Sequence, residues 1–230
     1  MVRMKVGVLI SGRGTNLQAL IDACGAPDFA AEICLVVSNE AGTAGLDRAK
    51  RAGIATRLIS DRDFPDPKSF EAALDRALTA AGAELVCLAG FMRLLSAGFV
   101  ERWRDRLINI HPSLLPAFRG LNTHARVLEA GTRFSGCTVH FVRPAVDNGP
   151  IIAQAVVPVL PGDDADSLAA RVLEQEHRCY PLALRLIAEG RVRVENERVA
   201  IDDMGAPGGV LINPALESVS VRPAQAREVC

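Results

Sequence analysis

An α/β fold around a parallel sheet is the class this sequence predicts, on three observations. Short Val- and Ile-rich runs of strand length each pass through a turn into a helical pattern, the rhythm of β-α-β units. The run Leu85-Val86-Cys87-Leu88-Ala89 shows no polar alternation, as expected of a strand buried on both faces in the middle of a parallel sheet. Leu17, Leu20, Ile21 and Cys24 stand at i, i+3, i+4 and i+7, one apolar helical stripe aimed at such a sheet.

Taken in order, residues 6–10 form the first strand and residues 33–37 the second, with the Leu17 helix between them. A second helix covers residues 45–51. A third opens with Asp66 as N-cap and Pro67 at its first position, carries Phe70, Leu74 and Leu78 on one face, and stops at Gly82. Strand 85–89, a short helix over 94–103 and strand 107–110 follow. The second half offers strands 137–142 and 151–159, then a helix over 166–189 in which Pro181 should force a kink. Residues 191–201 alternate about the polar Glu195-Asn196-Glu197 turn as a terminal hairpin.

There is no repeat, low-complexity tract or linker. Residues 1–202 read as a single domain, nucleotide-binding-like to about residue 105 and catalytic beyond it, and 203–230 as a C-terminal extension broken by Gly and Pro. Within that extension Val210-Leu211-Ile212 either covers a sheet edge or joins a second subunit in a homodimer.

Composition narrows the function classes. Hydrophobic residues make up 49% and charged residues 23%, and 26 basic against 27 acidic side chains give a net charge of −1. That balance offers no case for a nucleic-acid partner. The apolar runs fall well short of the ~18 residues that cross a bilayer, and the N-terminal run is too short for a signal peptide, so no membrane association and a cytoplasmic location are expected. The six cysteines and four histidines show no ligand spacing, so no metal is expected.

Three segments carry chemistry. Ser11-Gly12-Arg13-Gly14-Thr15-Asn16 lies between a strand and a helix, where backbone N–H groups can converge on a phosphate; a tight turn with Thr15 or Asn16 as cap explains the same residues. In Asn109-Ile110-His111, two polar side chains two apart at a strand end project to the same side. They suit the two donors that a developing oxyanion requires, a protonated His supplying a charged N–H; alternatively His111 only satisfies backbone groups ahead of a Pro-rich turn. Asp147-Asn148-Gly149-Pro150 is a turn whose acid is either solvated or, if it meets His111, holds the imidazolium or orders a water that moves protons.

With these segments in order, the chain resembles the folate-dependent glycinamide ribonucleotide formyltransferase family over about residues 5–195. The resemblance rests on residues 8–19, on Leu88-Ala89-Gly90-Phe91-Met92-Arg93-Leu94-Leu95, on residues 109–116 with Gly120-Leu121-Asn122-Thr123-His124, on residues 135–142 and 147–152, and on Gln175-Glu176-His177. It implies an α/β formyltransferase-like fold, a mostly parallel twisted sheet flanked by helices. It also implies transfer of a formyl group from the co-substrate 10-formyltetrahydrofolate to the amine of glycinamide ribonucleotide in purine biosynthesis, without metal. Asn109, His111 and Asp147 would then be catalytic, Gly14, Thr15 and Asn16 would hold the substrate phosphate, and Glu176 would contact the glycinamide substrate. Met92, Arg93, Leu94, Leu95 and Asn109 would line the folate pocket, although for Met92, Leu94 and Leu95 plain core packing is the competing explanation. Lys68 stands where the family often has an arginine on the folate tail, and a point charge replaces a guanidinium fork only partly. Formyltetrahydrofolate deformylase and methionyl-tRNA formyltransferase resemble the same core; with the first strand near residue 5 and about 28 residues after the hairpin, the regulatory or RNA-binding domain that each usually adds is not expected here.

Overall fold

The computed structural model describes residues 2–203, 205 and 211–213. Among them, seven strands make one sheet in the order β3-β2-β1-β4-β5-β6-β7, comprising β1 (Met4–Ile10), β2 (Ala31–Ser38), β3 (Thr56–Leu58), β4 (Leu85–Leu88), β5 (Leu107–His111), β6 (Phe134–Phe141) and β7 (Ile151–Pro158). The five strands from β3 to β5 run parallel, whereas β6 is antiparallel to both β5 and β7. The mostly parallel sheet expected from the sequence is therefore present, with an antiparallel edge.

Both faces are covered. One face packs α1 (Thr15–Cys24), α2 (Ala44–Arg51) and the long α6 (Ala165–Ala188) against Val6, Val8, Cys87, Ile108 and Val139. The other packs α3 (Pro67–Ala80) and α4 (Ala97–Arg102) against Leu9, Val86, Leu88 and Leu107. The caps read from the sequence set the ends of α3, since the Asp66 carboxylate accepts the Ser69 N–H at 2.8 Å and Gly82 turns the chain at φ 72°.

Departures from the sequence reading have local causes. The three-residue β3 and α5 (Thr123–Glu129) were not foreseen, because Thr56-Arg57-Leu58 is an exposed edge and α5 follows a stretch rich in Pro and Gly. The helix expected over 94–103 starts only at Ala97, where the Ser96 hydroxyl accepts the Phe99 N–H. At Pro181, where the sequence predicts a kink, α6 continues as one helix, pinned on the sheet by the buried Tyr180, whose hydroxyl lies 3.0 Å from the Leu88 carbonyl and 3.3 Å from that of Ile108. The expected hairpin is present as β8 (Val192–Glu195) and β9 (Arg198–Ile201). Val210 of the expected edge strand and most of 203–230 lie outside the described residues; Leu211 and Ile212 are exposed and not in a strand.

Replacing Tyr180 by Phe removes the donor shared by two strand carbonyls. It should lower the unfolding free energy by about 1 kcal/mol; an unchanged urea midpoint would show that this anchor contributes nothing.

Candidate active site

Strand register builds the catalytic cluster. Because β5 and β6 pair with Asn109 opposite His140 and His111 opposite Thr138, four polar side chains share the sheet face away from α6, while the alternate residues Ile108, Ile110, Val139 and Phe141 enter the core beneath it. His140 Nδ1 lies 2.9 Å from the Phe141 carbonyl, and its Nε2 lies 3.3 Å from the Asn109 amide nitrogen. The loop after β6 folds back so that Asp147, at φ 48°, places one carboxylate oxygen 3.3 Å from His111 Nδ1 and the other 3.7 Å from His140 Nε2. The Gly120 N–H, 2.8 Å away, fixes that carboxylate from the opposite loop.

His111 is flanked by acceptors on both ring nitrogens, Asp147 at Nδ1 and the Phe118 carbonyl 3.0 Å from Nε2, so only the charged ring satisfies both. Burial works against that charge and pushes the pKa of His111 below its ordinary value, outweighing Phe118 and Asp147. A charged ring is thus disfavoured in the unliganded site, and when charged it is a stronger acid than an ordinary histidine. Burial also acts on Asp147 by raising its pKa, but the neighbouring imidazoles and the Gly120 N–H outweigh it and leave the carboxyl below its usual range. Asn109, His111 and Asp147 are therefore brought together. His140 joins them unforeseen; its alternation with Thr138 along a strand was the available signal.

The glycine loop opens at the same edge of the sheet. Gly14 caps α1 in the left-handed region at φ 68°, no side chain caps the first turn, and no acidic residue stands in it, so the turn's amide donors face outward without a side-chain partner. A Cβ on Gly14 would sit 2.6 Å from the Gly45 Cα, which gives this glycine a packing reason besides any ligand. Thr15 follows as the first helical residue. The Asn16 side chain is engaged by α6: its amide donates to Glu176 at 2.7 Å, and its Oδ1 is buried without a partner among the described residues. Glu176 is buried on α6, and burial raises its pKa against the opposing Asn16 bond.

The residues expected to line a folate pocket divide. Met92 and Leu94 are 70% and 82% exposed, so core packing does not explain them, whereas Leu95 is half-buried against the α3 and α4 side of the core. Arg93 pairs with Asp61 at 3.3 Å. Lys68 is exposed near the start of α3, and no hydrogen bond or ion pair among the described residues ties it to the cluster.

Residues 4–184 match the model of the formyl transferase family. The chain belongs to that family. It is 44% identical over 204 residues to the phosphoribosylglycinamide formyltransferase of Escherichia coli, covering 89% of this chain and 96% of the relative. It is 55% identical over 192 residues, 84% of its own length, to the trifunctional purine biosynthetic protein adenosine-3 of Gallus gallus, of which it spans only 19%. Among solved structures, glycinamide ribonucleotide transformylase 1 from Symbiobacterium toebii superposes with a TM-score of 0.85 at 49% identity, covering 86% of this chain and 94% of that one.

Three desolvated histidines, the buried His111 and the half-buried His124 and His177, give this formyltransferase-family chain an acid sensitivity. Burial lowers the pKa of His111, His124 and His177 below the ordinary 6.5, and His124 Nδ1 and His177 Nε2 are buried without hydrogen-bond partners among the described residues. Above 6.5 both folded and unfolded chains carry neutral rings; below it the unfolded chain takes protons that the folded chain refuses, so stability is lost as pH falls. Urea midpoints should decline from about pH 7 downward, and His177→Gln should flatten the decline; a flat wild-type profile would refute this account.

Proposed function

We propose that this protein transfers a formyl group from 10-formyltetrahydrofolate to the amine of glycinamide ribonucleotide, a step of purine biosynthesis. The observation that carries this reading is the convergence of His111, Asp147, Asn109 and His140 at 3.3–3.7 Å spacings, with the start of α1, which has no side-chain cap, following the parallel strand β1. The family membership and the E. coli relative, matched over nearly its whole length, support it.

Chemically, the amine attacks the formyl carbon and negative charge grows on the formyl oxygen. The Asn109 amide keeps one N–H beyond the bond to His140, and the His111 Nε2–H now facing the Phe118 carbonyl is the donor to be turned to that oxygen. Asp147 steadies the His111 charge and receives the amine proton directly or through water. A His111 of lowered pKa readily gives up its proton, which suits the departing folate nitrogen. The outward amides of the α1 first turn hold the ribose phosphate, Glu176 contacts the glycinamide end, and exposed Met92 and Leu94 offer apolar surface to the folate. Lys68 remains the proposed partner of the folate tail.

A formyl-transfer assay with glycinamide ribonucleotide, with and without 10-formyltetrahydrofolate, tests the reading; release of formate without the amine substrate would indicate a deformylase instead. His111→Ala and Asp147→Asn should each lower kcat by about 10²- to 10³-fold, and normal turnover in either folded variant would remove it from the mechanism. The phosphate loop is best probed at Gly12, because an added side chain there meets nothing within 4 Å, whereas one at Gly14 strikes Gly45. Gly12→Val should raise KM for glycinamide ribonucleotide far more than for folate; equal changes would mean the loop is not a phosphate site.

A further inference from the structure

The loop that carries Asp147 is anchored by a residue outside the catalytic cluster. Val142 donates its N–H to the Leu107 carbonyl at 2.8 Å, and immediately after it Arg143 turns inward with only 7% of its side chain exposed. Its guanidinium donates to Asp105 at 2.6 Å, to Glu197 at 2.6 Å and to the Val142 carbonyl at 3.1 Å. Its stem also packs beneath the far end of the loop, since a Cβ on Gly149 would lie 3.2 Å from Arg143 Cγ.

The two carboxylates come from unrelated parts of the chain. Asp105 lies in the turn between α4 and β5, and Glu197 in the β8–β9 turn, beyond the residues matched by the family model. Both hold the left-handed backbone region, at φ 56° and 58°, which non-glycine residues seldom adopt. Each is about half exposed, whereas the cation between them is buried. A buried guanidinium must keep its partners, so the pair of carboxylates determines where Arg143 sits. Arg104 ties Glu197 further to Glu101, at 2.5 Å and 3.0 Å, which fixes the hairpin turn against α4.

We propose that Arg143, clamped between Asp105 and Glu197, is a positioning residue that sets the Asp147 carboxylate against His111, and that the β8–β9 hairpin serves formyl transfer through this clamp. The assay part rests on the function proposed above. Asp147 is four residues from Arg143, and Gly149 rests on the arginine stem, so both limbs of the loop refer to one buried side chain. Release of that side chain loosens the 3.3 Å contact to His111 without touching the glycine loop or Met92 and Leu94.

Arg143→Met, Arg143→Lys, Glu197→Gln and the Arg143→Met/Glu197→Gln pair test it by steady-state kinetics and by an NMR titration of His111. Arg143→Met should lower kcat about tenfold with KM for glycinamide ribonucleotide within about twofold, because displacement near the reacting groups costs turnover. Arg143→Lys should recover part of the loss, Glu197→Gln should show a smaller one, and the pair should be no worse than Arg143→Met alone. Around His111 the groups are Asp147 and the Phe118 carbonyl, which favour its charge, and His140 and Arg126, which oppose it. The His111 titration in Arg143→Met should therefore move to lower pH. An unmoved titration with wild-type kcat, or losses at 143 and 197 that multiply, would overturn the proposal. If Arg143→Met does not fold, Glu197→Gln decides by the same two readouts. A wild-type protein that transfers no formyl group would refute the proposed function, while the titration alone would still decide the clamp.

Discussion

Antiparallel pairing of β5 with β6 sets Asn109 opposite His140 and His111 opposite Thr138, and the chemistry of the site rests on that register. A slip of β6 by one residue would turn His140 and Thr138 into the core and bring Val139 and Phe141 onto the face that carries Asn109 and His111. The buried apolar set on one face thus enforces the polar set on the other. A parallel β6 would need a crossover between the strands; the antiparallel edge lets the chain turn back and hang the Asp147 loop directly over the two histidines.

Burial then tunes what register has placed. The same exclusion of water that depresses the His111 pKa raises that of Glu176, so one end of the site disfavours a cation and the other an anion. Asp147 escapes this trend because a loop N–H and two imidazoles compensate its desolvation. The carboxylate stays ionised beside a histidine that gives up its proton easily, an arrangement in which small movements of the loop change the acidity of the ring.

Much of this is legible in the sequence. The apolar runs of β1 and β4, the Asp66-Pro67 start of α3 and the Glu195-Asn196-Glu197 turn announce themselves because local pattern decides them. Asn109, His111 and Asp147 were nameable, but His140 was not singled out, since strand register is a long-range property that one strand's sequence does not contain. The resemblance gives Asn16 to the substrate phosphate, but no local pattern shows that its side-chain amide meets a buried glutamate 160 residues away. The clamp on Arg143 joins turns at 105, 143 and 197, each of which reads alone as an ordinary solvated loop.

The contact between Gly14 and Gly45 bears on how this scaffold could be re-engineered. A Cβ on Gly45 would press on Ile10 at 2.4 Å and approach the Gly12 carbonyl at 3.0 Å, while one on Gly14 would meet Gly45 itself. The loop after β1 and the start of α2 are therefore two halves of a single mould, although some thirty positions separate them along the chain. A graft that moves residues 11–16 into another scaffold, or a library that diversifies them in place, must carry the small residue at 45 along with it, or the loop will be cast in a different shape.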